Sequence, residues 1–199
     1  MKAQMHDFMD GKGPVPAHRH IKGEGWVADT AHVDKSAHIG PDAQVFGDAL
    51  VFGDALVFGD ALVFGDARVI GDAWVSGDAQ VFGDARVSGD AWVSGEAWVS
   101  GYAQVFGYAR VFGDARIAGD ARVSGDAQVN RGMYAYTPIS ITRSDGYTFT
   151  LQSDGSIVAG CRDFTPDEAK AHWGNPEHHK HRESMAIVTA LNAIAAERQ

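Results

Sequence analysis

Between Val27 and Val129 a valine or isoleucine returns every six residues without a slip, and alanine stands two places before almost every one of them. The unit reads Gly-Asp-Ala-x-Val-x, from Gly47-Asp48-Ala49-Leu50-Val51-Phe52 through to Gly125-Asp126-Ala127-Gln128-Val129-Asn130. A fixed short period is the mark of a stacked solenoid. Six residues fit neither a 3.6-residue helix nor a simple two-sided hairpin. Alanine and valine spaced by two put their side chains on one face of a strand, and the intervening residues face the other way. Glycine then supplies a kink that side-chain-bearing residues resist, and aspartate is at home in turns. Three short strands and three corners close one triangular coil, with Val and Ala filling a narrow interior.

Eighteen aliphatic positions, three to a coil, make six coils. At roughly 4.8 Å per layer the rod stands about 29 Å tall. Folding the list at eighteen residues gives three faces. Face one has Val27, Val45, Val63, Val81, Val99 and Ile117 inside; face two has Val33, Val51, Val69, Val87, Val105 and Val123; face three has Ile39, Val57, Val75, Val93, Val111 and Val129. An aliphatic residue with a small one two places earlier, sustained from Trp26 to Asn130, resembles the hexapeptide-repeat proteins. That resemblance implies an all-β solenoid, a left-handed parallel β-helix of six triangular coils; the handedness rests on the resemblance alone.

The chain divides into an irregular lead-in at 1–25, the β-helix at 26–130, and a small α+β domain at 131–199 suited to capping or oligomerisation. In the last of these, Ile139–Thr142, Tyr147–Gln152 and Ser156–Cys161 alternate like strands, with turns at Asp145-Gly146 and Asp154-Gly155. Thr165-Pro166-Asp167-Glu168 reads as a capping box opening a short helix that ends near Gly174. A second helix is expected from about Glu177 to Glu197, with Met185, Val188, Leu191 and Ile194 on its apolar side. Such a module would seal a rod end that otherwise exposes apolar core and unpaired strand groups. His18-Arg19-His20 and Gly25–Ala31 at one end, and Gly160-Cys161, Thr165–Glu168 and His172-Trp173-Gly174 at the other, resemble the ends of hexapeptide-repeat proteins from phage and prophage genomes. This implies a phage-type origin and transfers no activity.

A net charge of −9, with acids concentrated at the repeat corners, argues against duplex DNA as a partner. No signal peptide, lipidation motif or long apolar run is visible, so no membrane partner is expected and the bacterial host cytoplasm is the default location. The single Cys161 excludes an intrachain disulfide.

The outward positions are unusually aromatic. Leu62, Phe64, Phe82 and Trp98 form one strip on face one; Leu56, Phe58, Trp74 and Trp92, with Arg110 and Phe112 below, form another on face three. Apolar surface on this scale marks an interface. The plain expectation is a homotrimer, usual in the resembled family, joined through these faces. The sharper one places a ligand in the intersubunit clefts, with Trp74 or Trp92 stacking on a flat base while Arg68, Arg86 or Arg122 of a neighbour holds phosphate. Corner aspartates form ladders, Asp48, Asp66, Asp84 and Asp120 on one edge and Asp54, Asp72, Asp90 and Asp126 on the next; Tyr102 and Tyr108 interrupt them in one coil. Turn chemistry explains the ladders, and metal bridging or imitation of a phosphate backbone are the alternatives. Repeat drift or a local contact site explains the tyrosines.

The resembled fold includes acyltransferases and a zinc carbonic anhydrase, both of which use coil histidines. Here the coil histidines are His32 and His38, in the first coil and directed outward, and no loop leaves the repeat to shape an acyl-donor pocket. The run His172, His178, His179 and His181, with Glu177 and nearby Cys161, suggests zinc, but its spacing matches no standard structural site and the module has only one cysteine. No Ser-His-Asp set, P-loop or dinucleotide fingerprint is present. The expectation is therefore a non-enzymatic, phage-derived binding protein with no catalytic residue, metal or cofactor, which sequesters a host ligand, a nucleotide or cyclic nucleotide signal being favoured. The alternatives are an acidic mimic of nucleic acid that inhibits a host protein, and a hexapeptide-repeat acyltransferase.

Overall fold

Strands two to four residues long, each carrying one of the repeat aliphatics, stack in parallel register every eighteen residues in a computed structural model describing residues 4–197. On face one Val27 lies beside Val45, then Val63, Val81, Val99 and Ile117. Faces two and three are six-stranded sheets built the same way from Val33 and from Ile39. The result is a parallel β-solenoid of about six coils, followed by a small antiparallel sheet and two helices. Val and Ala fill one unbroken interior, as period-two spacing requires, and only Val33 in the first coil is half-buried.

The corners use glycine for two reasons at once. From Gly47 to Gly125 every corner glycine has φ between 59° and 84°, backbone that a Cβ disfavours. The corners also stack closely: a Cβ on Gly77 would sit 3.1 Å from the amide nitrogen of Gly95. The aspartates that follow, from Asp48 to Asp126, point into solvent.

The lead-in, expected to be irregular, is ordered. Met5–His6 pairs antiparallel with Val15–Arg19, which pairs antiparallel with Trp26–Ala28 and so lengthens the sheet of face one. Phe8 is buried there, stacked on Phe46 at 4.9 Å.

At the far end Met133–Tyr134 adds a parallel strand below Arg116–Ile117. The antiparallel sheet runs Ser140–Thr142, Thr148–Leu151, Ile157–Ala159 and Arg162–Phe164; the last of these was not anticipated. Helix α1 (Pro166–Trp173) opens on the Thr165/Glu168 capping box. Helix α2 (His181–Glu197) begins later than Glu177, because the Asn175 carboxamide accepts the Glu177 N–H and Lys180 takes left-handed backbone, φ 59°. Its Val188 and Leu191 pack with Phe149, Ile157 and Trp173 in a second core.

Side chains take up backbone groups at the last coil that no further strand pairs. The N–H groups of Arg122, Gln128 and Asn130 donate to Thr137 Oγ1, Thr150 Oγ1 and Gln152 Oε1, at 3.3, 3.2 and 3.3 Å. Gln152 Nε2 returns a bond to the Gln128 carbonyl at 2.9 Å. The buried Tyr134 hydroxyl donates to Gln152 Oε1 and accepts the Ser153 N–H at 2.7 Å.

Candidate functional site

Parallel strands in register place identical columns one layer apart, and on this rod that geometry makes rings stack on each other. Trp74 and Trp92 lie 4.7 Å apart with an interplanar angle of 2°, and the Arg110 guanidinium sits 5.1 Å from the centre of the Trp92 ring. The register Trp74–Trp92–Arg110 puts these two neighbours on opposite sides of Trp92. Both faces of that ring are occupied within the chain, which corrects the expectation of a base stacked on it. On face one Phe46, Phe64 and Phe82 stack at 4.9 and 5.0 Å, Phe82 meets Trp98 edge-on, and Arg116 lies 4.6 Å from the Trp98 ring centre. Leu62 and Phe64 also pack with the buried Phe8 and Phe46 cluster of the N-terminal strands, so part of the face-one strip is covered by its own chain. Leu56 and Phe58 are half-buried, with Phe58 edge-on to Trp74.

A recess of about 670 Å³ lies where the C-terminal sheet meets the lower end of face three. Face three and its corners supply Trp92, Tyr108, Arg110, Asp126 and Gln128; the sheet supplies Cys161, Arg162 and Asp163. The join is made by Ile157–Ala159, which lies against Gln128–Val129. Two guanidiniums thus reach one cavity. Arg162 rests over the Phe164 ring at 4.8 Å, and Asp163 is paired with Arg131 and accepts a bond from Asn130 Nδ2 at 3.4 Å. Tyr108 is 65% exposed and has no ring or hydrogen-bond partner among the described residues. It occupies the corner where Asp90 above and Asp126 below carry carboxylates, so one negative charge is missing at the mouth of the recess.

Of the residues singled out from sequence, the recess gathers Trp92, Tyr108 and Arg110. Trp74 lies one layer above them. Arg68, Arg86 and Arg122 are exposed on face two, with Arg68 and Arg86 in adjacent layers, and a single chain does not bring them to the tryptophans. Arg122 lines a smaller recess of about 310 Å³ with Thr137, Thr142 and Thr148. Tyr102 stands at the preceding corner, outside both.

His32 is exposed beside the Phe52 ring and His38 is half-buried beneath Gly23. The C-terminal histidines serve several contacts. The His172 and His178 rings lie 4.4 Å apart, and burial followed by His178 lowers the His172 pKa. His179 pairs with Asp145 at 3.5 Å, and His181 Nδ1 bonds to the Trp173 carbonyl. Among the described residues no group of three His, Cys, Asp or Glu side chains is placed to hold a metal ion, and no helix is long and apolar enough to cross a membrane.

Sequence reasoning weighed Cys161 only beside the histidine run and did not single out Arg162 or Asp163. The signal was available in outline: Gly160-Cys161 follows an alternating strand and can turn the chain into a return strand.

A family model described as the YdcK beta solenoid repeat matches residues 79–95, about one coil. No curated protein matches the chain. Among solved structures, the acetyltransferase domain of PglB from Neisseria gonorrhoeae FA1090, in complex with acetyl coenzyme A, is similar at 19% identity and a TM-score of 0.46, over 56% of this chain and 52% of that one. This chain therefore spans about half the length of that domain. A provisionally assigned acetyltransferase of Bacillus cereus is similar at 11% identity and a TM-score of 0.29, over 86% of this chain and 89% of that one. At these values the likenesses transfer no activity.

Proposed function

We propose that the protein binds a small anionic ligand with a planar part, a nucleotide being the favoured class, in the recess between face three and the C-terminal sheet, and holds it without transforming it. The observation that carries this is the meeting of Arg110 and Arg162 with the unpartnered Tyr108 ring around one recess of about 670 Å³. That volume is in the range of small-molecule sites, and guanidinium with an exposed ring is the pairing that phosphate and base require. Replacement of the corner aspartate by Tyr108 supports it, since a carboxylate there would repel the ligand. A phage origin and capture of a host signal extend the proposal, supported by the resemblance of the chain ends.

Acyl transfer is the second reading. Coenzyme A carries adenine and phosphates, so the same recess meets its recognition needs, and the Asp126 carboxylate and Cys161 thiol line that recess.

The test is a titration with mononucleotides, cyclic nucleotides and acetyl coenzyme A, followed by tryptophan fluorescence. Arg110→Ala and Arg162→Ala should each weaken the bound nucleotide about tenfold or more, the value of one charge-assisted hydrogen bond. The ligand should be recovered chemically unchanged after denaturation. Turnover of acetyl coenzyme A with an added amine favours the second reading instead. If nothing binds, or both arginine variants bind as the wild type does, the recess is not the site.

A further inference from the structure

Along most of the rod the outward rings are used up by their neighbours one layer away. On face two at the fifth coil they are not. Tyr102 and Phe106 are 64% and 38% exposed, and neither has a ring, cation or hydrogen-bond partner among the described residues. The residue above Phe106 in register is Ser88, too small to cover the ring. Between them Gln104 lies in register with Arg86 above and Arg122 below. Both guanidiniums are exposed and lack a carboxylate or ring partner among the described residues. At one layer each of roughly 4.8 Å, they straddle the Gln104 carboxamide about 10 Å apart. This is also the coil where the acidic ladders on both edges of face two are broken, by Tyr102 and Tyr108. The same layer therefore loses its repulsion for anions, gains uncovered rings, and has an unpaired cation on either side.

We infer that face two at the fifth coil is a second binding site, for a short segment of single-stranded nucleic acid lying across the rod. Arg86 and Arg122 close on one phosphodiester over the Gln104 carboxamide, and the bases on either side of it stack on Tyr102 and Phe106. Tyr102 stands in the turn that leads into the strand Gln104–Gly107, four positions before Phe106, so the backbone spans at most about 13 Å between them, which leaves room for one phosphate between two splayed bases. A duplex does not fit this arrangement: its base faces are hidden in the stack, and its continuous backbone would meet the intact aspartate ladders above and below. The site stands independently of the recess on face three, which uses Arg110 and Arg162.

The experiment is fluorescence anisotropy of a labelled single-stranded ten-nucleotide oligomer at low salt, with the matching duplex and polyglutamate as competitors. The single strand should bind and neither competitor should displace it at equal charge. Arg86→Gln, Arg122→Gln, Tyr102→Ala and Phe106→Ala should each weaken it about tenfold. The logarithm of affinity should fall against the logarithm of salt with a slope of about −0.7, one phosphate neutralised on a single strand. Arg116→Gln on face one and Arg110→Ala in the recess should leave affinity unchanged; circular dichroism confirms that the variants fold. Absence of binding overturns the inference. So does equal loss in Arg116→Gln, which indicates diffuse charge, or loss in Arg110→Ala alone, which places the strand in the recess.

Discussion

At the scale of the residue, two positions in each repeat leave almost no freedom. Val81 is fully buried and its side chain touches only apolar neighbours from its own and adjacent coils. Val81→Asp should therefore cost several kcal/mol, because a carboxylate there has no partner and no water. Limited proteolysis should show cleavage concentrated in the coils around it, and an unchanged digestion pattern would contradict a dry interior. Gly77 is constrained through its backbone. With φ at 68° and the Gly95 nitrogen 3.1 Å from where a Cβ would lie, Gly77→Ala should lower stability by about 1–2 kcal/mol. Urea midpoints measure it, and a loss under about 0.5 kcal/mol would mean that the corner relaxes freely.

At the scale of the element, the joint between solenoid and C-terminal sheet turns on Tyr134. Tyr134→Phe keeps the ring and removes the hydroxyl, leaving the Ser153 N–H and the Gln152 carboxamide short of a partner; about 1–3 kcal/mol should be lost. Burial pushes the Tyr134 phenol up to about 12, above its ordinary 10.0. Its contribution is therefore complete below pH 10 and disappears as the pH rises through 12, so alkaline melting of the wild type should steepen in that window and the Phe variant should not share the change. In the sheet itself, hydrogen bonding from Arg143 lowers the Asp145 carboxyl to about 2. This contribution has the opposite sign: it is present above pH 3.8 and disappears as the pH falls through 2. The melting temperatures of wild type and Asp145→Asn should converge on acidification across that interval; a constant gap would remove Asp145 from the account of acid stability.

At the scale of the whole molecule, the proposal of self-association through faces one and three is narrowed by the N-terminal strands. They cover Phe46 and pack against Leu62 and Phe64, leaving Trp98 as the exposed ring of face one and Trp92 as that of face three. Trp98→Glu should weaken association at micromolar concentration, while Phe64→Glu should first reduce the stability of the single chain. Light scattering separates the two, and a wild-type species of 21.3 kDa under those conditions would refute association altogether. Packing through these two faces leaves face two, with Arg86 and Arg122, turned outward.

The fold of the solenoid was legible because its determinants are local and repeated. Ala and Val two apart set the inward face, Gly-Asp sets the corner, and an exact period of six leaves one register in which valine meets valine. The capping box at Thr165 and the turns at Gly146 and Gly155 were legible for the same reason, each being specified within four residues. Three things were decided by contacts between distant parts of the chain. The N-terminal strands add to face one because Phe8 finds Phe46, nearly forty residues on, and no period announces that meeting. Trp92 is closed to a stacking base because the layer spacing brings Trp74 and Arg110 onto its two faces; the sequence listed all three residues in one column, but the competition for the ring appears only at 4.7 and 5.1 Å. The recess exists because Ile157–Ala159 docks on Gln128–Val129 and carries Arg162 to Arg110, fifty-two positions earlier in the chain. Periodicity determines which side chains face out; what those side chains meet depends on tertiary packing, since the energy of a ring or a guanidinium is set by whichever partner reaches it first.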